Sequence, residues 1–292
     1  MKLQGSFIAT ITPMEADGQI DYLKFAELLE WYISQGSDGI VVAGSTGEAA
    51  TLSYEEKINI FAFAKEVISD RVLLIAGTGT NCTRSSVELT LAANDIGIEY
   101  SLLTCPYYNK PTQLGLLLHY QTIAEAVPGM QHILYNIPGR SIIQLDVETI
   151  IELSQLKNII GLKDSGSNIN RIQQLRLNCP ENFALLSGDD DFTLECLRNG
   201  GDGVISVVGN VCPLAMYSLV HAALAGDMVL AHKYDDLLKP LYSGLFCQSN
   251  PIPVKALLYS LNKINAGIRL PLTWLPEAQQ VELFNIYSNL EF

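Results

Sequence analysis

The run Asn158-Ile159-Ile160-Gly161-Leu162-Lys163 is apolar, shorter than an ordinary helix, rich in β-branched side chains, and closes on a cation. It reads as a buried strand with a lysine at its end. Runs of the same character recur on both sides of it: Phe7–Thr10, Gly39–Val42, Val72–Ala76, Tyr100–Leu103, His132–Tyr135, Ala184–Ser187 and Gly203–Ser206. Amphipathic segments of helical period lie between them. Their starts carry capping residues: Asp21, Ser53 with Glu56 as a capping box, Thr83, Thr112 and Asp146. Regular alternation with near-continuous apolar strands predicts a parallel sheet covered by helices, since such strands are buried on both faces. Eight units favour closure into an α/β (β/α)8 TIM barrel over a doubly wound sheet, which usually stops at five or six strands. From Pro213 onward no strand pattern recurs. This stretch is expected to hold the eighth barrel helix and three more, divided near Asp227, Asn250–Pro253 and Pro276. The expected division is a barrel over residues 1–224 and a C-terminal helical extension over 225–292.

Composition narrows the function. The chain has 292 residues, 48% of them hydrophobic, enough for one large core, and a formal net charge of -13 with no Lys/Arg cluster, which argues against a nucleic-acid surface. The opening MKLQGSFIATITP lacks the long apolar region of a secretory signal, so a cytoplasmic protein is expected. Gly203–Gly226 carries no Asp, Glu, Lys or Arg, yet Gly209, Asn210 and Pro213 divide it into a strand, a turn and a helix start rather than a membrane span. The six cysteines contain no C-x-x-C pair and read as reduced thiols. The four histidines have no metal-ligand spacing, so no metal or other cofactor is implied.

In a (β/α)8 barrel the active site lies at the C-terminal strand ends. Here those ends read Thr10, Gly44-Ser45-Thr46-Gly47-Glu48, Gly77-Thr78-Gly79, Tyr107-Tyr108, Tyr135, Lys163, Ser187-Gly188-Asp189 and Ser206. One cation stands among hydroxyls and glycines. A primary amine flanked by apolar strands loses hydration of its charged form, which frees it as a nucleophile toward a ketone. The plainer alternative is a strand-end lysine reaching to solvent. Alternation places Ile159, Gly161 and Lys163 on one face, Gly161 leaving space beneath the lysine. Ile133 and Tyr135 share a face in the same way, so Tyr135 and Lys163 end adjacent strands at one mouth, where a phenol can move protons for an imine.

Other features carry less. The Gly44–Gly47 turn offers backbone N–H groups and hydroxyls to an anion, or is a tight turn only. Asp189-Asp190-Asp191 lacks calcium-loop spacing and reads as a helix start. Arg140 offers a planar fork to a carboxylate, or is a solvated loop arginine. Tyr107-Tyr108 equally suits packing at the mouth.

Four segments, Gly44-Ser45-Thr46-Gly47-Glu48, Pro106-Tyr107-Tyr108-Asn109-Lys110-Pro111, Tyr135-Asn136-Ile137-Pro138-Gly139-Arg140 and Gly161-Leu162-Lys163-Asp164, together resemble the dihydrodipicolinate synthase family in order and spacing. The first and third are shared with the wider pyruvate-aldolase superfamily, which includes N-acetylneuraminate lyase and 2-keto-3-deoxy sugar acid aldolases. The second segment and the arginine are more particular. The resemblance implies that Lys163 forms an imine with pyruvate, whose enamine attacks the aldehyde of L-aspartate-4-semialdehyde, giving 4-hydroxy-tetrahydrodipicolinate on the route to diaminopimelate and lysine. It implies a proton relay of Tyr135, Thr46 and Tyr108, with Tyr108 supplied by a neighbouring subunit of a homotetramer built as a dimer of dimers. Ser45 and Thr46 would bind the pyruvate carboxylate, Arg140 the semialdehyde carboxylate, and Gly188 and Ile205 would line the pyruvate pocket. Ser45 stands where threonine is commoner. A barrel that only binds a keto acid would need a missing catalytic residue, and none is missing.

The resemblance also bears on feedback. Positions matching the lysine site of inhibited relatives are Ala49, Ala50, Tyr54, Lys57, Asn81, Ser85 and Tyr107. Tyr54 and Lys57 stand where sensitive enzymes have histidine, and Ser85 where they have glutamate. An added cation and a lost carboxylate disfavour a cationic ligand, so inhibition by lysine is expected to be weak or absent.

Overall fold

A computed structural model describes residues 2–291. Its strands are β1 (Gly5–Ala9), β2 (Gly39–Val42), β3 (Leu73–Gly77), β4 (Tyr100–Thr104), β5 (Gln131–Asn136), β6 (Ile159–Asp164), β7 (Ala184–Ser187) and β8 (Gly203–Ser206). Each pairs in parallel with the next, and β1 pairs with β8 through Gly5 opposite Gly203 and Phe7 opposite Ile205, closing the barrel. All eight expected strands are present, with ends displaced by two residues at most.

Alternation along the strands separates two cores. Phe7, Val41, Ile75, Leu102, Ile133 and Leu186 fill the barrel interior, whereas Ile8, Ile40, Val42 and Leu74 face the helices. Side chains therefore plug the barrel below its mouth, and a ligand can enter only at the ends of the strands.

The expected alternation fails at one place. The β5–β6 register shifts between His132 and Ile133, where Ile159 pairs with His132 but Gly161 with Ile133. The extra residue turns Ile159 into the helix-side core and Ile160 against the interior. Ile159 is thus not on the face of Lys163, and alternation resumes only from Gly161. Nor is the space at Gly161 empty: a Cβ there would meet the Ala184 Cβ and carbonyl, each at 2.9 Å. That glycine lets β6 and β7 close up beneath the lysine.

Three of the five expected caps form side-chain bonds. Asp21 accepts from Lys24 N, Thr112 accepts from Gly115 N, and Ser53 with Glu56 makes the reciprocal box. Thr83 is instead the first helical residue, and its hydroxyl lies 2.9 Å from His119 Nδ1. Asp146 occupies its cap position without a side-chain bond.

After β8 come the helices Pro213–Leu224, Met228–Gly244, Ile252–Ser260 and Glu277–Ser288, broken where the sequence predicts. Leu241, Val254, Leu257 and Leu283 share one core with Ile8 and Ile40 of the barrel. Among the described residues no helix is long and apolar enough to cross a membrane.

Two histidines are buried between strands and helices. His132 Nδ1 pairs with Ser101 Oγ across β4 and β5 at 2.7 Å, and burial pushes both His132 and His119 down from 6.5 to about 4. The unfolded chain therefore binds more protons than the folded one between these values. Stability is full above the unfolded value and is lost as pH falls from about 6.5 to about 4, on the order of 3 kcal/mol per histidine. Urea midpoints at pH 7.5 and 5 are expected to differ, with a shallower dependence in His132→Asn. Unchanged midpoints would mean that these rings accept protons in the folded chain.

Candidate active site

Tyr135 and Lys163 are register partners at the ends of β5 and β6. Both point inward and are 4% exposed, and the Lys163 Nζ lies 4.2 Å from the centroid of the Tyr135 ring. Behind them, on the helix side, the next register pair is Asn136 and Asp164. Asp164 accepts from Asn136 Nδ2 at 2.7 Å, from Arg171 Nε at 2.7 Å and from Gly166 N at 3.1 Å. Arg171 also reaches the Leu145 carbonyl, and Asn136 Oδ1 accepts from Leu145 N. Both carboxylate oxygens of Asp164 and both amide ends of Asn136 are engaged, so this buried cluster locks the two strand ends in register and with them the lysine and the phenol.

Gly188 follows β7 beside the lysine. A Cβ at that position would come within 2.1 Å of Ser165 Oγ and 3.1 Å of Lys163 Cε, so a side chain there displaces Ser165 and crowds the lysine. Ile205 of β8 is fully buried in the barrel interior below. The three aspartates after Gly188 do not act as a unit. Asp189 accepts from Ser167 Oγ at 2.7 Å, and burial raises its carboxyl above the usual range. Asp190 accepts from Ser206 Oγ at 2.5 Å and from Val207 N and Val208 N, while burial pushes its carboxyl up to about 6. The three aspartates do begin a helical segment, Asp190–Phe192 running into Thr193–Arg198, as the sequence predicts, and Asp190 in addition ties the turn after β8 to the end of β7.

Ser45 and Arg140 face a cavity of about 280 Å³ at the barrel mouth, with Lys57, Leu102, Thr104, Tyr107 and Asn250 among its walls. Lys163 and Tyr135 are not walls of this cavity. A larger one, about 660 Å³, opens between Trp31, Val211, Lys233 and Tyr287 and holds none of the expected site residues. Its size carries no argument, because chemistry needs convergent polar groups and these lie at the smaller cavity. Thr46 is buried, and its hydroxyl accepts from Asn250 Nδ2 at 2.9 Å. The Asn250 carbonyl in turn accepts from Arg140 at 2.8 Å. Lys57 is half-buried, and desolvation pushes its ammonium below the usual lysine range, so the positive charge expected there is held less firmly than the sequence suggests.

Tyr108 does not join this group. It is 85% exposed with φ at 75°, an uncommon backbone for a bulky residue, and unlike Tyr107 it is not a wall of the mouth cavity.

The strand ends thus present two groupings, the Lys163 amine with the Tyr135 phenol and, joined through Asn250, the Thr46 hydroxyl with the Arg140 guanidinium, chemistry suited to a keto acid and a second anionic reactant. The sequence pattern of the dihydrodipicolinate synthetase family matches residues 2–290. The chain belongs to that family. A 4-hydroxy-tetrahydrodipicolinate synthase of Methylococcus capsulatus is 45% identical, aligned over 94% of both chains. The chloride-inhibited dihydrodipicolinate synthase of Acinetobacter baumannii, solved with pyruvate, superposes with a TM-score of 0.95 at 44% identity over 98% of each chain. The enzyme of Aquifex aeolicus superposes at 0.96 with 40% identity over 99% of each.

Two parts of this synthetase-family site escape a reading of the strand ends. Asn250 joins Thr46 to Arg140, although in sequence it marks only a break between helices. Glu48 closes the Gly44–Glu48 turn and is fully buried against Lys255. The available signal was a lysine inside an otherwise apolar helical stretch, Ile252-Pro253-Val254-Lys255-Ala256-Leu257-Leu258, since a buried lysine needs a partner.

Proposed function

We propose that this chain condenses pyruvate with L-aspartate-4-semialdehyde in the cytoplasm, through an imine on Lys163, to give 4-hydroxy-tetrahydrodipicolinate for diaminopimelate and lysine biosynthesis. The carrying observation is the Lys163–Tyr135 pair, an inward amine against a phenol at the ends of adjacent strands, in a chain of this family.

The steps follow from the side chains. Lys163 Nζ attacks the ketone carbon of pyruvate, and Tyr135 returns a proton to the departing oxygen, which leaves as water. Loss of a methyl proton from the imine gives the enamine, whose carbon bonds to the aldehyde carbon of the second substrate. The substrate amine then adds to the imine carbon, closing the ring and expelling the lysine amine. Ser45 and Thr46 hold the pyruvate carboxylate. Arg140 holds the semialdehyde carboxylate, with Gly188 and Ile205 shaping the pyruvate pocket. Tyr108 serves the relay of a neighbouring subunit within a homotetramer, which fits its exposure in the single chain.

Initial rates with pyruvate and either aspartate semialdehyde or sugar aldehydes test the reading. The semialdehyde is expected to react far faster, and faster turnover of a sugar aldehyde would move the assignment to another pyruvate aldolase. In the same assay Arg140→Ala is expected to lower kcat/KM for the semialdehyde ten- to a hundredfold, about 1.5–3 kcal/mol for a lost charge-assisted contact. Imine formation with pyruvate stays intact. An equal loss of imine formation would place the arginine on pyruvate or in the fold.

A further inference from the structure

The turn that carries Ser45 and Thr46 is conformationally strained at both ends. Ala43 has φ 50° and Glu48 has φ 58°, left-handed values that residues with a Cβ seldom adopt. Such backbone persists only where its surroundings over-determine it. Neutral bonds hold the turn locally: Glu48 N donates to the Ser45 carbonyl at 3.2 Å, Ala49 N to the Gly44 carbonyl at 3.1 Å, Thr51 N to the Glu48 carbonyl at 2.9 Å, and Thr12 Oγ1 to the Gly47 carbonyl at 2.7 Å. The charged restraint comes from the other end of the chain and acts on the Glu48 side chain. Lys255 Nζ donates to Glu48 Oε1, both side chains being wholly buried, and Arg269 N donates to Glu48 Oε2 at 3.1 Å. Five residues before that lysine, Asn250 holds the Thr46 hydroxyl.

A fully buried ion pair is an expensive means of stabilising a fold, because desolvating two charges offsets most of their attraction and an apolar pair of similar volume serves as well. What it supplies that an apolar pair does not is direction. The carboxylate must face the ammonium, and this fixes the backbone that carries it.

We propose that the Glu48–Lys255 pair is a positioning latch for the pyruvate subsite, holding the strained Ala43–Glu48 turn so that the Ser45 and Thr46 hydroxyls face the carboxylate of a pyruvate bound at Lys163. The inference rests on the reading of Lys163 as the imine-forming residue. Neither latch residue touches substrate. Their effect is on where the hydroxyls stand, so it falls on pyruvate binding more than on the reactivity of the amine.

The test uses the full-length enzyme with Lys255→Met, Glu48→Gln and the double variant, which leaves no lone buried charge. For each, melting temperature is measured together with borohydride trapping of pyruvate on Lys163 at increasing pyruvate. Trapping in the wild type examines the imine reading by itself, and the ratio of variant to wild type examines the latch. Lys255→Met is expected to melt lower and to need at least tenfold more pyruvate for half-maximal trapping, about 1.4 kcal/mol, with a limiting trapping rate changed less than threefold. The double variant is expected to regain most of the melting temperature but not the pyruvate affinity. Should the single variants not fold, the double variant decides. Recovery of both melting temperature and affinity in the double variant, or wild-type half-saturation in a folded single variant, would overturn the latch and leave the pair a purely structural one.

Discussion

Lys163→Ala is expected to abolish borohydride trapping of pyruvate and to lower the condensation rate on the order of 10⁴-fold or more, the scale lost when a positioned nucleophile is removed. An imine carbon is reducible by hydride, whereas a keto acid held only by hydrogen bonds leaves no adduct on the protein. The structure supplies two rival amines, which makes the site of labelling informative. Lys255 is held below the usual lysine range by burial, but it is wholly enclosed and committed to Glu48. Lys57 is lowered by the same cause and is a wall of the cavity that holds Ser45 and Arg140. Lys163 differs from both in its place, facing inward beside Tyr135 with Gly188 leaving room at its Cε. Peptide mapping after reduction is expected to find the adduct there. A label on Lys57, or trapping that survives in Lys163→Ala, would falsify the assignment and move the chemistry to the cavity wall.

Tyr108→Phe is expected to slow condensation by about 10²-fold or more, as loss of a positioned proton carrier does. This residue stands 85% exposed with a left-handed backbone, free of the core of its own chain, as the proposed service to a neighbouring site requires. Removing one hydroxyl from an exposed residue leaves the core untouched, so the loss is expected without a change in melting temperature. A crossed site also predicts complementation. When Tyr108→Phe and Lys163→Ala chains are mixed under subunit exchange, half of the paired subunits are hybrids, and each hybrid has one site with an intact lysine and an intact tyrosine. About a quarter of all sites, and hence of wild-type activity, is expected to return for a two-fold interface. Proven exchange with no recovery would show that Tyr108 acts within its own subunit or not at all.

The parts legible in the sequence are those set by neighbours along the chain. Strand periodicity follows from alternate side chains facing two apolar layers, and it located all eight strands. The capping box at Ser53 and Glu56 needs only a three-residue reach and formed as expected. The inward direction of Lys163 and Tyr135 follows from alternation once the barrel is accepted. It held because each strand is regular over its last three residues. At the one-residue bulge in β6 the signal is Gly161, which suits a bulge or a close backbone approach equally, so alternation alone puts Ile159 on the wrong face. At Thr83 the residue type suited a cap, but the helix begins at that residue and its hydroxyl meets His119, while Asp146 holds its cap position without a side-chain bond.

What tertiary structure alone decided is how the mouth is assembled. Asn250 meets Thr46 across 204 positions, and Lys255 meets Glu48 across 207. No local pattern records such pairs, because their partners are chosen by how the last helices pack on the barrel. Tyr108 shows the same limit, since its residue type suits packing or catalysis equally and only the fold leaves it exposed. The amino-acid order by itself determined a barrel with an amine at its mouth, because alternation and chemistry are properties of neighbouring residues. Which side chains hold the pyruvate turn, and which leave it, depended on contacts between distant segments whose energies exist only once the core has closed.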